Sequence, residues 1–141
     1  MTVRPVLDHI AIAVPNLSEA LGVWRDAIGL PHTGDDVVDE QGVSVAFLDV
    51  GGPGRIELLE PLDPSDSSSA VARHLERRGP GIHHIALRVP SIVDAMENLR
   101  SKGYRLTSEE PQPGAHGTRV AFVHPKSTGG VLLELVEHPG G

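Results

Sequence analysis

The stretch HIAIAVP, His9–Pro15, recurs 75 residues later as HIALRVP in His84–Pro90. Five of the seven positions are identical, and the same spacing continues into the following residues, where Leu17 matches Ile92. Short apolar segments match by chance, but a register this long argues against chance. A repeat of about half the chain predicts two fused copies of one structural module rather than a solenoid.

Each copy of the repeat shows a strand pattern, then a helix pattern, then further strand patterns. In the first copy the predicted elements are strands Leu7–Val14, His32–Asp39, Val43–Val50 and Arg55–Glu60, with a helix Glu19–Ile28 capped by Ser18. In the second copy they are strands Ile82–Val89, Arg105–Glu109, Thr118–Val123 and Val131–Glu137, with a helix Ser91–Lys102. The pattern predicts an α+β fold of two tandem βαβββ modules.

The length of 141 residues fits one domain, residues 1–141. We expect the modules to span about residues 6–62 and 81–138. Residues 63–80 join the two modules. This segment contains most of the polar stretch Pro61–Ser69, followed by a helix predicted at Ala70–Arg78.

The composition excludes several classes of function. The net charge of −7 argues against nucleic acid and anionic membranes as partners. The chain has no cysteine, which excludes disulfides, zinc–thiolate sites and cysteine nucleophiles. No run approaches the ~20 apolar residues of a membrane span, and the first residues lack the apolar region of a signal peptide. We therefore expect a cytoplasmic protein.

Histidine and glutamate recur together in the repeat. His9 and His84 occupy matching positions on the first strand of each copy. Glu57 and Glu134 each interrupt an apolar run on the last strand, 77 residues apart. A single strand histidine or glutamate is usually an ordinary core or surface residue, but the paired recurrence favours a shared site. Two imidazoles and two carboxylates suit a divalent cation such as cobalt, manganese, nickel, iron or zinc.

The other histidines have simpler interpretations. His83 is next to His84 and falls on the opposite face of its strand, so we do not expect it to be a ligand. The histidines without a repeat partner are expected at the surface: His32, His74, His124 and His138.

Several longer stretches resemble the vicinal oxygen chelate (glyoxalase/bleomycin-resistance/dioxygenase) superfamily, and within it the methylmalonyl-CoA epimerase family. The most specific are EQGV at Glu40–Val43, GIHHIA at Gly81–Ala86, PGAHG at Pro113–Gly117 and HPK at His124–Lys126. The less specific stretches are DHIA at Asp8–Ala11, IELLEPL at Ile56–Leu62 and GVLLEL at Gly130–Leu135. The resemblance covers nearly the whole chain.

The resemblance implies an open mixed β-sheet barrel around a metal site and a homodimer. It implies a metal-dependent epimerase that inverts the α-carbon of methylmalonyl-CoA through a metal-stabilised enolate. It also implies Co²⁺ as the preferred ion, with Mn²⁺, Ni²⁺ or Zn²⁺ as alternatives. It assigns the metal ligands to the same four residues as the repeat: His9, Glu57, His84 and Glu134.

The resemblance does not assign the acid–base groups directly. Some epimerases of this family carry a glutamate on the strand after the Gln-Gly-Val stretch, where this chain has Val45. We therefore expect Glu57 and Glu134 to serve as both ligands and bases. In the alternative, Glu57 is a ligand only, and His116 or a metal-bound water is the second acid.

The substrate contacts are also expectations. The GAHG loop that contains His116 is expected to close over the substrate. The cationic side chains of Arg88, Arg119 and Lys126 are candidates for the CoA phosphates or the substrate carboxylate.

Three other functions fit parts of the pattern. A glyoxalase I-like lyase also moves a proton beside a bound metal. An extradiol-type dioxygenase uses two histidines with one carboxylate around iron, so Glu57 disfavours it. A metal-free ligand-sequestering protein of the bleomycin-resistance type usually lacks the full ligand set, whereas all four candidate ligands are present here.

Overall fold

The computed structural model describes residues 4–140. This part of the chain divides into two compact units. The first unit is His9–His83, and the second unit combines the described residues up to Asp8 with those from His84 onward. The order of strands and helices along the chain repeats with the sequence.

The strands are β1 (Val6–Ala13), β2 (His32–Val38), β3 (Val43–Asp49), β4 (Arg55–Pro61), β5 (Gly81–Arg88), β6 (Gln112–Pro113), β7 (Arg119–Val123) and β8 (Leu133–Glu137). The α-helices are α1 (Leu17–Leu21), α2 (Ala70–Arg78) and α3 (Ile92–Ser101). Within residues 4–140, no helix is long and apolar enough to cross a membrane.

The strand order is the same in the two units. In the first unit it is β2-β3-β4-β1, with β1 parallel to β4 and the other pairs antiparallel. In the second unit it is β6-β7-β8-β5, with β5 parallel to β8 and the other pairs antiparallel. A parallel pair needs a long crossover, and the intervening helix and strands provide it. The predicted α+β class and mixed sheets are confirmed.

A helix packs on one face of the strands in each unit. In the first unit the buried cluster is Ile12, Val14, Ala46, Leu48 and Leu58, packed against Leu17, Ala20, Leu21 and Trp24 of the helical segment. In the second unit it is Val89, Ala121, Val123 and Leu135, packed against Ile92, Ala95, Met96 and Leu99. Each large aliphatic side chain buried in this way contributes roughly 1.5–3 kcal/mol. The helix therefore occupies one face of the strands, and other side chains line the opposite face.

The first helix of each unit begins in the same way. Asn16 caps α1, because its side chain accepts a hydrogen bond from the Glu19 N–H at 3.0 Å. Ser91 caps α3 through the Asp94 N–H at 3.2 Å. Asn16 and Ser91 keep the 75-residue spacing of the repeat. The prediction of Ser18 as the first cap is wrong, since Ser18 already lies inside α1.

The predicted α-helix Glu19–Ile28 is wrong in its second half. After α1 the chain continues as a π-helix over Gly22–Ala27, in which the Ile28 N–H donates to the Val23 carbonyl at 2.9 Å. Gly22 stands at the change from one helix type to the other. Glycine is about 1 kcal/mol less favourable than alanine inside an α-helix, which weakens the α-helical alternative there.

The predicted strand Arg105–Glu109 is also wrong. Within that segment only Leu106 forms a bridge, to Val123 of β7. The repeat spacing places the counterpart of β2 over residues 107–113. Pro111 and Pro113 lie in that range and have no N–H to donate. The second unit therefore keeps only the two-residue strand β6 at this position.

Candidate metal and catalytic site

In the first unit, His9 and Glu57 lie together on adjacent parallel strands. The register sets His9 beside Arg55 and Ala11 beside Glu57, so the two side chains are diagonal neighbours on one face. The His9 Nδ1 lies 3.1 Å from the Glu57 Oε2. Both residues are buried, each 5% exposed, on the face opposite the helix-packing residues Ile12 and Leu58.

A third side chain completes this arrangement. The Arg55 guanidinium donates to the same Glu57 Oε2 from Nε at 2.9 Å, and its Nη2 lies 2.9 Å from that oxygen. The guanidinium carbon also lies 4.7 Å from the centre of the Phe47 ring. Phe47 is the β3 residue directly opposite Glu57. The Glu57 carboxylate therefore contacts both the His9 imidazole and the Arg55 guanidinium.

In the second unit, His84 and Glu134 repeat the arrangement. Ala86 lies beside Glu134 in the parallel pair of β5 and β8. The His84 Nε2 lies 3.6 Å from the Glu134 Oε1, and both residues are buried. Phe122 stands opposite Glu134 in β7, and its ring packs edge-on against the His84 ring with centroids 5.3 Å apart.

The two histidine–glutamate pairs have matching neighbours at most positions, with two exceptions. At the 75-residue spacing, Ala13 of the first unit corresponds to Arg88 of the second. The histidine, the small alanine, the opposing phenylalanine and the glutamate all recur. The counterpart of Arg55 at the 77-residue spacing is Leu132, which has no polar side-chain atom. Sequence reasoning missed Arg55. The signal was an arginine two residues before Glu57, on the same strand face, where the other copy carries leucine.

The donor atoms of each histidine–glutamate pair suit a divalent cation. Each offers one imidazole and one carboxylate, and thiolate ligands are excluded because the chain contains no cysteine. Buried charged groups in proteins are paired or coordinate metals, and this mixed nitrogen and oxygen set suits a borderline divalent ion. The four predicted ligands thus form two buried imidazole–carboxylate pairs, one in each unit.

A buried valine occupies the position of the missing glutamate. Val45 lies in β3 between Asp36 of β2 and Leu59 of β4, and it is 2% exposed. It shares a strand face with Phe47, which lies opposite Glu57. Val45 cannot transfer a proton, as expected from the sequence.

The predicted substrate residues are all exposed: Arg88, His116, Arg119 and Lys126. Arg88 ends β5, and Arg119 begins β7 with its Nη1 4.0 Å from the Glu137 Oε1. Lys126 lies in a 3₁₀ turn, where its N–H donates to the His124 Nδ1 at 3.1 Å.

His116 has a left-handed backbone, with φ 54° and ψ 38°, inside the turn Ala115–Gly117. It is the one non-glycine residue with positive φ in the described part of the chain. Such conformations are uncommon, although histidine is among the residues enriched there.

A cleft of about 520 Å³ lies beside the His116 turn. Its walls are Glu110–Gly114 and Gly117–Arg119. Gly114 closes the base of the turn tightly, because its N–H donates to the Thr118 carbonyl at 2.9 Å. A methyl group on Gly114 would lie only 2.5 Å from the Thr118 Oγ1.

Two histidines expected at the surface make specific contacts. The His138 Nε2 lies 2.5 Å from the Oδ1 of the buried Asp8, and the His138 side chain is 22% exposed. The His74 ring is partly buried and packs edge-on against the ring of His83, with centroids 5.2 Å apart. Burial lowers the pKa of His74, and the nearby Arg78 lowers it further. His83 therefore lies against helix α2.

Comparison with known proteins agrees with the sequence pattern. Residues 8–122 match the sequence model of the Glyoxalase/Bleomycin resistance protein/Dioxygenase superfamily. The ethylmalonyl-CoA/methylmalonyl-CoA epimerase of Cereibacter sphaeroides is 40% identical over 131 residues, covering 92% of this chain and 95% of that protein. The mitochondrial methylmalonyl-CoA epimerase of Homo sapiens is 41% identical over 130 residues, covering 92% of this chain and 72% of that protein.

Solved structures give the same result. The methylmalonyl-CoA epimerase of Mycobacterium tuberculosis superimposes with a TM-score of 0.87 at 41% identity, covering 94% of this chain and 87% of that chain. The predicted glyoxalase-like fold is confirmed by this similarity. The chain belongs to the Glyoxalase/Bleomycin resistance protein/Dioxygenase superfamily and, within it, to the methylmalonyl-CoA epimerase family.

Proposed function

We propose that this protein is a metal-dependent isomerase that inverts the α-carbon of methylmalonyl-CoA. The observation that carries the proposal is the buried histidine–glutamate pair repeated in both units of a chain that belongs to the epimerase family. Related structures support the substrate class. One member of the family, about 35% identical over 98% of this chain, has been solved in complex with methylmalonyl-CoA.

We assign His9, Glu57, His84 and Glu134 as the ligands of one divalent ion. When bound, the ion supplies positive charge beside the oxygen on which negative charge develops as the α-proton leaves. Cobalt is the ion we expect, with manganese, nickel or zinc as alternatives. What supports this assignment is the burial of all four side chains and their nitrogen and oxygen donors.

Inversion needs a group that removes a proton from one face of the α-carbon and a group that returns one to the other face. Glu57 and Glu134 occupy equivalent positions in the two modules, and the nearby strand position that is acidic in some relatives is Val45 here. We therefore assign Glu57 and Glu134 as the two proton-transfer groups.

The substrate thioester carries a carboxylate, and its CoA moiety carries phosphates, so anion-binding groups are needed. Arg119 lines the cleft beside the His116 turn and is half-exposed, with its charge only loosely paired at 4.0 Å to Glu137. We assign Arg119, His116 and Lys126 as substrate-contacting residues. A homodimer and a cytoplasmic location stay predictions.

The decisive experiment follows the α-carbon. Metal-loaded protein is incubated in D₂O with a single epimer of methylmalonyl-CoA, and the products are analysed for the other epimer and for α-deuterium. We expect both, and we expect EDTA to abolish them and cobalt to restore them.

Other outcomes would replace the proposal. Conversion of a methylglyoxal–thiol adduct without deuterium exchange into methylmalonyl-CoA would indicate a glyoxalase I-like lyase. Tight binding of a ligand by metal-free protein, without turnover, would indicate a sequestering protein.

A further inference from the structure

We propose that His138 is a positioning residue that anchors the end of the chain against the turn that carries His116. The inference rests on the proposed function, because it concerns how the substrate-contacting turn Ala115–Gly117 is held in place. It goes beyond that function, since neither the repeat nor the resemblance assigns His138 a role.

The pairing of β7 with β8 brings the end of the chain to this turn. Arg119, the first residue of β7, stands directly opposite Glu137, the last residue of β8. The two strands are antiparallel, so the residues that lie two positions beyond this pair, Gly117 and Pro139, are expected to be neighbours. A methyl group built on Gly117 would lie 3.5 Å from the Pro139 Cγ, an ordinary contact distance. The turn and the end of the chain therefore pack together.

His138 attaches this end of the chain to a buried carboxylate. Its Nε2 lies 2.5 Å from the Oδ1 of Asp8, which is only 7% exposed. Asp8 lies on β1, 130 positions earlier in the chain. Hydrogen bonds in which one partner is ionised are roughly twice as strong as neutral ones. Because His138 lies one residue past the end of β8, the bond holds a segment that extends beyond the sheet.

The turn benefits from support by a neighbouring segment, because its own backbone is unfavourable. His116 has a left-handed backbone, with φ 54° and ψ 38°. Such a conformation persists where the surrounding structure holds it. One hydrogen bond closes the turn internally, from the Thr118 N–H to the Ala115 carbonyl at 3.1 Å. The contact of Pro139 with Gly117 adds support from a different segment of the chain.

The same segment also faces the cationic side chain of the nearby cleft. The Oε1 of Glu137 lies 4.0 Å from the Nη1 of Arg119, which lines the cleft. Anchoring His138 therefore keeps Pro139 on the turn and Glu137 beside Arg119. A site that is already ordered before the ligand arrives binds it at a lower cost in conformational entropy. We infer that the anchor contributes to substrate affinity.

The first test measures the turn without substrate. Amide hydrogen exchange is followed by NMR over residues 114–118 in wild type, His138→Leu and His138→Gln. We expect His138→Leu to speed exchange of the Thr118 amide by about 10-fold, the factor that corresponds to one hydrogen bond to a charged group. Glutamine can place an N–H donor near the position of the histidine Nε2, so His138→Gln should restore most of the protection.

A second variant tests the packing contact separately from the buried carboxylate. Pro139→Gly keeps His138 but removes the ring that packs on Gly117, and it should also speed exchange in the turn. His32→Leu is the matched control, because His32 pairs with a carboxylate too, that of Asp35, at 2.8 Å on the exposed surface of the first unit. The control should exchange like wild type. Thermal unfolding of each variant checks that it is folded.

The third test uses the substrate. Initial rates of epimerisation are measured with metal-loaded protein over a range of methylmalonyl-CoA concentrations. We expect His138→Leu to raise KM by about 10-fold and to leave kcat within about twofold of wild type, because the turn contributes to binding rather than to proton transfer. His138→Gln should recover most of the affinity. Metal content should match that of wild type in both variants.

The outcomes separate the anchor from the function. Faster exchange in His138→Leu that is reversed in His138→Gln, in a protein that does not epimerise methylmalonyl-CoA, would support the anchor and overturn the function. Normal epimerisation with unchanged exchange in both His138→Leu and Pro139→Gly would overturn the anchor alone. A fall in kcat at unchanged KM, or a loss of metal, in folded His138→Leu would also overturn it, since Asp8 would then act through the adjacent His9. If His138→Leu does not fold, exchange in Pro139→Gly decides the matter.

Discussion

The carboxylate of Glu60 accepts a hydrogen bond from the backbone N–H of Leu17, with Oε1 and nitrogen 2.8 Å apart. Leu17 is the first residue of α1, and Glu60 lies on β4. The second unit repeats the bond between the Ile92 N–H and the Glu137 Oε2, also at 2.8 Å. The first N–H groups of a helix have no partner within the helix, and the helix dipole favours negative charge at this end. One carboxylate thus ties each helix to its last strand.

We predict that Glu60→Ala and Glu137→Ala each lower the free energy of unfolding by about 1–2 kcal/mol, because each leaves a helix-terminal N–H without its charged acceptor. Urea denaturation measures the change. Glu97→Ala is the control, since Glu97 is exposed on α3 and should change the free energy by less than about 0.5 kcal/mol. Equal effects in all three variants would contradict the capping role.

Metal content tests the ligand assignment directly. We predict about one divalent ion per chain in the purified protein, and the loss of most of it in His9→Ala and in His84→Ala. Elemental analysis after gel filtration gives the stoichiometry. His83→Ala is the matched control, because its ring lies against His74 instead, and it should keep its metal. Full metal content in both ligand variants would rule out the site.

Glu57→Gln separates metal binding from proton transfer. Glutamine still offers an oxygen to the metal but cannot accept the α-proton. We predict that the variant keeps its metal and loses about 10²–10⁴-fold in epimerisation, the usual contribution of one acid–base group. It should still exchange the α-proton of one epimer through Glu134, as read by deuterium incorporation. Near wild-type epimerisation by metal-replete Glu57→Gln would remove Glu57 as a base, and His116→Ala would then test the alternative acid.

The turn that carries His116 depends on a close approach at Gly114. We predict that Gly114→Ala lowers the free energy of unfolding by roughly 1–3 kcal/mol, because the added methyl group would meet the Thr118 Oγ1 at 2.5 Å and the Val120 Cγ1 at 2.6 Å.

Gly22→Ala should have the opposite effect on stability. Gly22 has helical backbone angles and open space around it, so alanine should raise the free energy of unfolding by about 0.5–1 kcal/mol. Chemical denaturation compares both variants with wild type, and a stabilised Gly114→Ala would contradict the close packing.

The sequence predicted the elements whose signals repeat in both copies. The first strands, the last strands and helix α3 were found within one or two residues of their observed bounds. These elements combine an apolar period with clear end signals, such as Ser91 before α3. The pairing of each histidine with its glutamate followed from the same repetition.

The errors fall where local chemistry departs from the repeat. The π-helix over Gly22–Ala27 adds a residue to a helical turn, and apolar spacing does not reveal that change. The strand predicted at Arg105–Glu109 followed a local alternation, whereas Pro111 and Pro113 limit pairing in the segment that corresponds to β2. Glu60 was overlooked because its partner, the Leu17 N–H, is distant in sequence. Arg55 was overlooked because the second copy has leucine at the matching position, so the repeat gave no signal for it.

Arg55 and Leu132 occupy matching positions in the two copies, and the difference between them has an evolutionary consequence. A symmetric dimer of single modules would carry any substitution twice, because both subunits come from one gene. Fusion of the two copies into one chain lets a mutation reach one half and spare the other. An arginine two residues before one glutamate and a leucine at the matching position before the other is a difference that a symmetric dimer from one gene cannot have. Chirality of the substrate gives selection a reason to keep such a difference, since the two faces of an asymmetric carbon present different groups to the protein.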